Sequence, residues 1–179
     1  MKKLKTAVIG VGALGRHHLK WYSQIPQSQL VGFYDSDKEK CDKYSKEYSV
    51  PSLNSIAEVA QNAEAVSIAV PTTMHAEVAC EMIAKGVHCL IEKPIAATIS
   101  EARKIQELAK RHKVKVTVGH IERFNPAVLA LSDIDIHPSF IEAHRLAAFD
   151  PRGTDVPVVL DLMVHDIDII LHLANSKVK

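Results

Sequence analysis

The sequence predicts an α/β protein built on one doubly wound parallel sheet. Three observations carry that expectation. Short apolar runs bounded by glycine or proline recur through the first two-thirds of the chain. Each run is followed by a segment with helical spacing, and the unusual polar motifs sit where the runs end. A parallel sheet needs a crossover after every strand, and this alternation supplies one each time. Six strands are expected, in the order 3-2-1-4-5-6.

The elements follow in sequence. Ala7-Val8-Ile9 is an apolar run of strand length. It runs into Gly10-Val11-Gly12-Ala13-Leu14-Gly15, with the spacing G-x-G-x-x-G. Gly10 permits a tight turn off the strand, Gly12 lets backbone approach a pyrophosphate, and Gly15 lets a helix pack closely on the sheet. Helical spacing then runs from Leu14 to Ile25 and stops at Pro26. Leu30 to Tyr34 reads as the second strand, ended by Asp35, twenty residues after Gly15. A carboxylate there accepts hydrogen bonds from ribose hydroxyls and repels a 2′-phosphate, so NAD is expected rather than NADP.

Ser36 and Glu39 have capping-box spacing for a helix to about Glu47, and Val50 to Leu53, with its proline, suits an edge strand. Ser55 and Glu58 repeat the capping spacing for a short helix. Ala65 to Val70 is a buried strand, turned by Pro71-Thr72-Thr73 into a helix from Met74 to Lys85, with Gly86 at its stop. Val87 to Ile91 is the next strand, ended by Glu92-Lys93-Pro94. The proline keeps Lys93 out of the helical region and raises the chance of a cis bond. Thr98 and Glu101 cap a helix to about His112, and Val114 to Val118 completes the sheet.

The pattern changes after Gly119. Ile121 to Pro126 leads into a short helix ending near Leu131. Phe140 to Leu146 alternates like a strand exposed on one side, and Phe149 to Pro157 reads as a loop. Val158 to Ala174 is a helix apolar almost all round, broken by Asp161, His165, Asp168 and His172 in one stripe. Burying such a stripe is costly unless it is paired or lines a polar cavity.

Composition removes several classes. A formal charge of +1, with 47% hydrophobic and 24% charged residues, fits a globular chain and argues against a nucleic-acid or acidic-membrane partner. Cys41, Cys80 and Cys89 lie far apart with no C-x-x-C. Neither a disulfide framework nor a metal site is expected, and a reducing, cytoplasmic setting is. The start Met1-Lys2-Lys3-Leu4-Lys5 resembles a signal peptide, but the apolar part is cut by glycines and reads as the first strand. No run approaches transmembrane length.

In an open parallel sheet, ligands bind outside the carboxyl ends of the strands. Gly10 to Gly15, Asp35, Pro71-Thr72, Glu92-Lys93-Pro94 and Gly119-His120 all sit at such ends. A lysine there can hold an oxygen of substrate or shuttle its proton.

Together Gly10-x-Gly12-x-x-Gly15, Asp35, Pro71-Thr72-x-x-His75, Glu92-Lys93-Pro94 and Asp161-x-x-x-His165-x-x-Asp168 resemble the Gfo/Idh/MocA oxidoreductases. The resemblance spans nearly the whole chain and implies two domains. Residues 1–120 would be an NAD-binding Rossmann domain, and residues 121–179 the start of a substrate and oligomerisation domain. It implies NAD held by Gly10, Gly12, Ala13, Leu14, Gly15, Asp35, Pro71, Thr72, His75, Glu92 and Lys93. It also implies catalysis by Lys93, Asp161 and His165: a histidine takes the hydroxyl proton as hydride leaves for nicotinamide, the aspartate orients it, and the lysine holds the reacting oxygen.

A narrower likeness lies in Gly119 to Pro126, Glu142 to Leu146 and Asp150 to Val156. It points to the branch that oxidises the 3-hydroxyl of UDP-N-acetylglucosamine. A free polyol such as inositol and a non-catalytic NAD-binding module are the alternatives. Arg123, Asn125, Arg145, Arg152 and Asp168 become candidates for the substrate, the arginines for a diphosphate. The family continues past this helix into a large antiparallel sheet. The expectation is therefore an incomplete second α+β domain with an uncovered apolar helix, giving a homo-oligomer that binds NAD and turns over substrate weakly or not at all.

Overall fold

The computed structural model describes residues 2–131, 134–146, 157, 159–174, 176 and 178. The chain divides into two compact units, residues 1–118 and residues 119–179.

Unit one alternates strand and helix. Its elements are β1 (Leu4–Ile9), α1 (Gly15–Gln24), β2 (Ser28–Tyr34), α2 (Lys38–Tyr48), α3 (Ile56–Asn62), β3 (Ala65–Ile68), α4 (Thr72–Ala84), β4 (His88–Ile91), α5 (Ile99–His112) and β5 (Val116–Val118). All pairings are parallel, in the order β2-β1-β3-β4-β5. The expected sequence of strands holds, but with five strands and not six. The predicted edge strand at Val50 to Leu53 shrinks to a single parallel bridge between Ser52 and Phe33. The Phe33 amide donates to the Pro51 carbonyl at 3.2 Å, and the Leu53 amide to the Phe33 carbonyl at 2.7 Å. Pro51 has no N–H with which to extend the ladder.

Side-chain alternation along β1 sends Ala7 and Ile9 into one apolar cluster and Val8 into another. The first cluster gathers Val59 of α3, Val78, Met82 and Ile83 of α4, and Ile105 of α5. The second gathers Leu19 of α1, Phe33 of β2 and Tyr44 of α2. Both faces of the sheet are therefore covered, as a parallel sheet requires. Each large aliphatic chain fully removed from water contributes about 1.5–3 kcal/mol.

Local chemistry moves several boundaries. α2 is capped by Asp37 and not by Ser36, because the Asp37 carboxylate reaches the amides of both Glu39 and Lys40. Ser55 caps α3 as expected, and Thr98 with Glu101 forms a complete capping box on α5. α4 begins at Thr72 and not Met74, since the Met74 amide already bonds the Pro71 carbonyl at 2.8 Å. β3 ends at Ile68 because Val70 turns its carbonyl away from the ladder to a histidine. Val114 drops out of β5 because its amide closes the end of α5 on the Ala109 carbonyl at 3.1 Å.

Unit two holds a 3₁₀ turn (Ile121–Phe124), α6 (Pro126–Leu131), a π-helical turn (Val159–Met163) and α7 (Val164–Ala174). The expected single helix from Val158 is thus a π turn followed by an α-helix. The strand expected at Phe140 to Leu146 does not form. A strand exists only as one side of a ladder, and no described residue pairs with that stretch. Most of the loop expected at Phe149 to Pro157 lies outside the described residues. Among the described residues, no helix is long and apolar enough to cross a membrane.

Candidate functional site

The strand ends of unit one gather around β1. Gly10 adopts a φ of +84°, and a Cβ there would meet the backbone of Ala69 and Val70 at 2.8 Å. A Cβ on Gly15 would lie 1.8 Å from the Gly10 carbonyl oxygen, so only glycine lets α1 start against the loop. Gly12 differs: a Cβ there would meet nothing within 4 Å. Protein packing does not require that glycine, which leaves open backbone on the loop.

Helix α1 opens with no side-chain cap and no acidic residue in its first turn. The Arg16 amide bonds the Gly12 carbonyl at 3.3 Å and the His17 amide that of Leu14 at 2.9 Å, while the helix dipole meets no side chain there, the arrangement that suits a pyrophosphate. Ala13 and Leu14 complete this loop. Asp35, at the end of β2, accepts from the Val11 amide at 2.7 Å and the Asp37 amide at 2.9 Å. Two main-chain donors fix the carboxylate and leave further lone pairs for ribose hydroxyls. The open Gly12, the uncapped α1 and the anchored Asp35 fit a dinucleotide.

At the end of β4, Glu92 is buried and its Oε1 lies 2.8 Å from His18 Nε2 on α1. Its other oxygen accepts from the Lys93 amide at 3.3 Å. Burial pushes the Glu92 carboxyl up, but the His18 hydrogen bond and charge, with the Lys93 amide and ammonium, hold it below its ordinary value. The Lys93–Pro94 bond is cis. His75, in the first turn of α4, is 1% exposed. Its Nδ1 lies 2.8 Å from the Pro94 carbonyl and its Nε2 2.9 Å from that of Val70. Both ring nitrogens therefore face main chain, so His75 builds the turn beside Pro71 and Thr72. Sequence reasoning missed His18. Its signal was a polar side chain at an apolar-spaced position of α1. Tyr22, one turn on, likewise reaches the buried Ser67 hydroxyl at 2.7 Å.

The Glu92 carboxyl lies below 4.5 when folded, so it stabilises the fold fully above that value, and the contribution is lost as pH falls through its folded value. Glu92→Gln should therefore be less stable than the parent near neutrality. The gap should close on titration below 4.5. Thermal melts of both proteins against pH check this; a constant gap would contradict it.

The other chemistry-bearing groups of unit one sit elsewhere. Burial pushes the Cys89 thiol up to about 12, which removes it as a nucleophile. An open cleft of about 780 Å³ lies along α5 and β5, lined by Ile105, Lys110, Lys113 and Val116 among others, with none of the strand-end residues. Among the described residues, no group of three His, Cys, Asp or Glu side chains could hold a metal ion.

In unit two the stripe is only partly polar surface. Asp161, His165 and Asp168 are half-buried and His172 is exposed. The π turn carries Asp161, and α7 carries His165 one turn later. The His165 ring packs edge-to-face on His120, with centroids 6.3 Å apart. His120 Nδ1 is buried without a hydrogen-bond partner among the described residues.

The substrate candidates are engaged inside the unit. Arg123 grips Asp168 through Nε at 2.9 Å and through Nη2. Arg145 grips Asp166, a residue the sequence reading did not single out, in a bidentate fork of 2.8–3.1 Å. That arginine holds the Asp166 carboxyl below its ordinary value. Asn125 caps α6, its Oδ1 accepting from the Ala127 amide at 3.0 Å. Arg152 lies outside the described residues.

Known proteins match this chain along nearly its whole length. It is 38% identical over 178 residues, 99% of the chain, to UDP-N-acetylglucosamine 3-dehydrogenase from Acidithiobacillus ferrooxidans, and covers 56% of that protein. A solved structure of that enzyme superposes with a TM-score of 0.93, over 99% of this chain and 58% of the other. It is 25% identical to the scyllo-inositol 2-dehydrogenase (NAD(+)) of Bacillus subtilis over 98% of the chain and 55% of the relative. The chain thus spans about half the length of these relatives. The sequence profile of the oxidoreductase family with an NAD-binding Rossmann fold matches residues 4–120. The glycine loop, the anchored acid and the parallel sheet all lie within that matched stretch, and this chain belongs to the Gfo/Idh/MocA oxidoreductases.

Proposed function

We propose that this chain serves NAD-dependent oxidation of a sugar hydroxyl, the 3-hydroxyl of UDP-N-acetylglucosamine or a related UDP-sugar. The observation that carries the reading is the 38% identity, sustained over 99% of the chain, to a dehydrogenase of that substrate. When bound, NAD supplies the hydride acceptor. The glycine loop would hold the pyrophosphate at the N-terminal end of α1, and Asp35 would take the adenosine ribose and select against a 2′-phosphate. Pro71, Thr72, Glu92 and Lys93 line the cofactor side. In unit one, Lys93 donates to the reacting oxygen and stabilises charge developing on it. In unit two, His165 takes the hydroxyl proton, and Asp161 orients the ring and favours its charged form.

A second reading, a free polyol as substrate, is favoured by one observation. Arg123 and Arg145 both spend their guanidinium groups on carboxylates of their own unit. Two of the three arginines offered for a diphosphate are thereby committed. The deciding experiment mixes the full-length gene product with NAD and either UDP-N-acetylglucosamine or scyllo-inositol, and follows reduced-nicotinamide absorbance. Turnover of the nucleotide sugar supports the first reading, and turnover of inositol alone supports the second. NAD binding with no turnover of either leaves a non-catalytic NAD-binding module.

The chain acts as a homo-oligomer in this proposal. Val159, Met163, Ile167 and Leu171 recur at four-residue intervals and are each 41–47% exposed, an apolar stripe along the last helical segment. Ile167→Glu should shift sedimentation from an associated species to monomer without changing the melting temperature of unit one. An unchanged sedimentation coefficient would count against association through this stripe.

A further inference from the structure

We propose that His18 is a positioning residue for Lys93: from α1 it occupies the Glu92 carboxylate, and so keeps that carboxylate from drawing the neighbouring Lys93 ammonium onto itself. The argument starts from the two oxygens of Glu92. An ionised carboxylate can only accept, so His18 Nε2 is the donor across the 2.8 Å contact to Oε1. The second oxygen accepts from the Lys93 amide at 3.3 Å. One donor thus comes from a helix 74 residues away, and the other from the turn itself.

Burial makes the first of these hard to replace. The His18 and Glu92 side chains are 17% and 11% exposed, which leaves little water to stand in for the ring. A buried carboxylate stripped of one donor seeks another, because leaving it unsatisfied costs more than a single hydrogen bond gains. The adjacent cation is Lys93, and its charge already reaches this group. Burial pushes the Glu92 carboxyl up, while the His18 bond and charge and the Lys93 amide and charge together hold it below its ordinary value. Without His18, the balance shifts to the lysine, and an ammonium paired with Glu92 is withdrawn from any reacting oxygen.

The fold seats His18 for this task. Gly15 lets α1 begin against the glycine loop, and Leu19 is fully buried beneath the helix. Tyr22, one turn after His18, shares a 2.7 Å hydrogen bond with the Ser67 hydroxyl of β3, and its ring lies 6.4 Å from the His18 ring. The helix that starts at the glycine loop is therefore fixed to β3 by Tyr22 and to the end of β4 by His18. The catalytic meaning of this placement rests on the role proposed above for Lys93; the placement itself does not.

The test uses the whole chain and reads Lys93 directly. Brief acylation by trace acetic anhydride at neutral pH, followed by peptide mass spectrometry, gives the reactivity of each lysine amine, with the exposed Lys110 as internal standard. His18→Phe keeps a ring beside Tyr22 and removes the donor. It should slow acylation of Lys93 by at least about tenfold, the effect of a newly paired carboxylate on an amine. His18→Gln, which carries an N–H at a similar reach, should stay near the parent. Adding Glu92→Gln to His18→Phe should restore the parent rate, because the capturing charge is gone. An unchanged rate in folded His18→Phe would overturn the proposal, and so would a double variant as slow as His18→Phe alone. Glu92→Gln by itself supplies a check that needs no change at His18. It should alter Lys93 acylation little, and a rise of about tenfold would mean that the carboxylate already holds the ammonium. None of these readouts uses turnover or NAD, so failure to oxidise any sugar would leave the result standing.

Discussion

Alanine at Gly12 should leave the melting temperature of this protein unchanged and cut its NAD affinity by at least about tenfold, whereas alanine at Gly15 should damage the fold itself. The two glycines share one motif but answer to different neighbours. A Cβ at Gly15 would fall 1.8 Å from the Gly10 carbonyl oxygen, which is backbone and cannot swing aside. Either α1 moves off the sheet or the turn deforms, at a cost of about 3 kcal/mol, typical of severe overpacking. For a chain of this size that lowers the melting temperature by roughly 10 °C. A Cβ at Gly12 meets no protein atom within 4 Å, so stability should change by less than about 0.5 kcal/mol. What it would meet is the pyrophosphate. Melting curves with and without NAD, beside calorimetry, separate the two. Equal NAD affinity in Gly12→Ala would mean that the cofactor does not approach that backbone.

Replacing Lys93 or His165 should abolish most turnover while sparing the fold. Lys93→Met keeps an unbranched side chain of similar reach and removes the ammonium donor. His165→Asn removes the group proposed to take the hydroxyl proton. A positioned acid or base contributes about 10²–10⁴ in rate, and each single variant should lose turnover in that range. His165→Asn should bind NAD as the parent does, because His165 is proposed to act on the sugar. Lys93→Met, with Lys93 on the cofactor side, should weaken NAD binding as well. Asp161→Asn should lower turnover less, since it acts through His165. Initial rates with the best of the tested sugars, set beside NAD calorimetry, measure all three. Full turnover in His165→Asn would sink the proposed base.

Much of this protein is legible in its sequence. The alternation of short apolar runs with helical spacing determined the sheet and its strand order, because only parallel strands with crossovers bury both faces of such runs. The glycine spacing and the acid at the end of β2 determined the dinucleotide motif, since Gly10 and Gly15 meet local steric needs and Gly12 leaves open backbone between them. Thr98 with Glu101 and Ser55 with Glu58 announced their helix starts, because capping is settled within four residues.

Other features were decided only in three dimensions. Ser52 keeps a single bridge because Pro51 lacks a donor and because Phe33 lies where it does. His18 finds Glu92 across 74 residues, and His75 finds the Pro94 carbonyl across 19. No local pattern could place those partners. Arg123 and Arg145 looked like phosphate ligands in the sequence because guanidinium forks suit carboxylates and phosphates alike. The fold gave them Asp168 and Asp166. Local sterics and hydrogen bonding are encoded over a few residues and can be read there. Which buried donor meets which acceptor is set by long-range packing, and that only the tertiary structure decides.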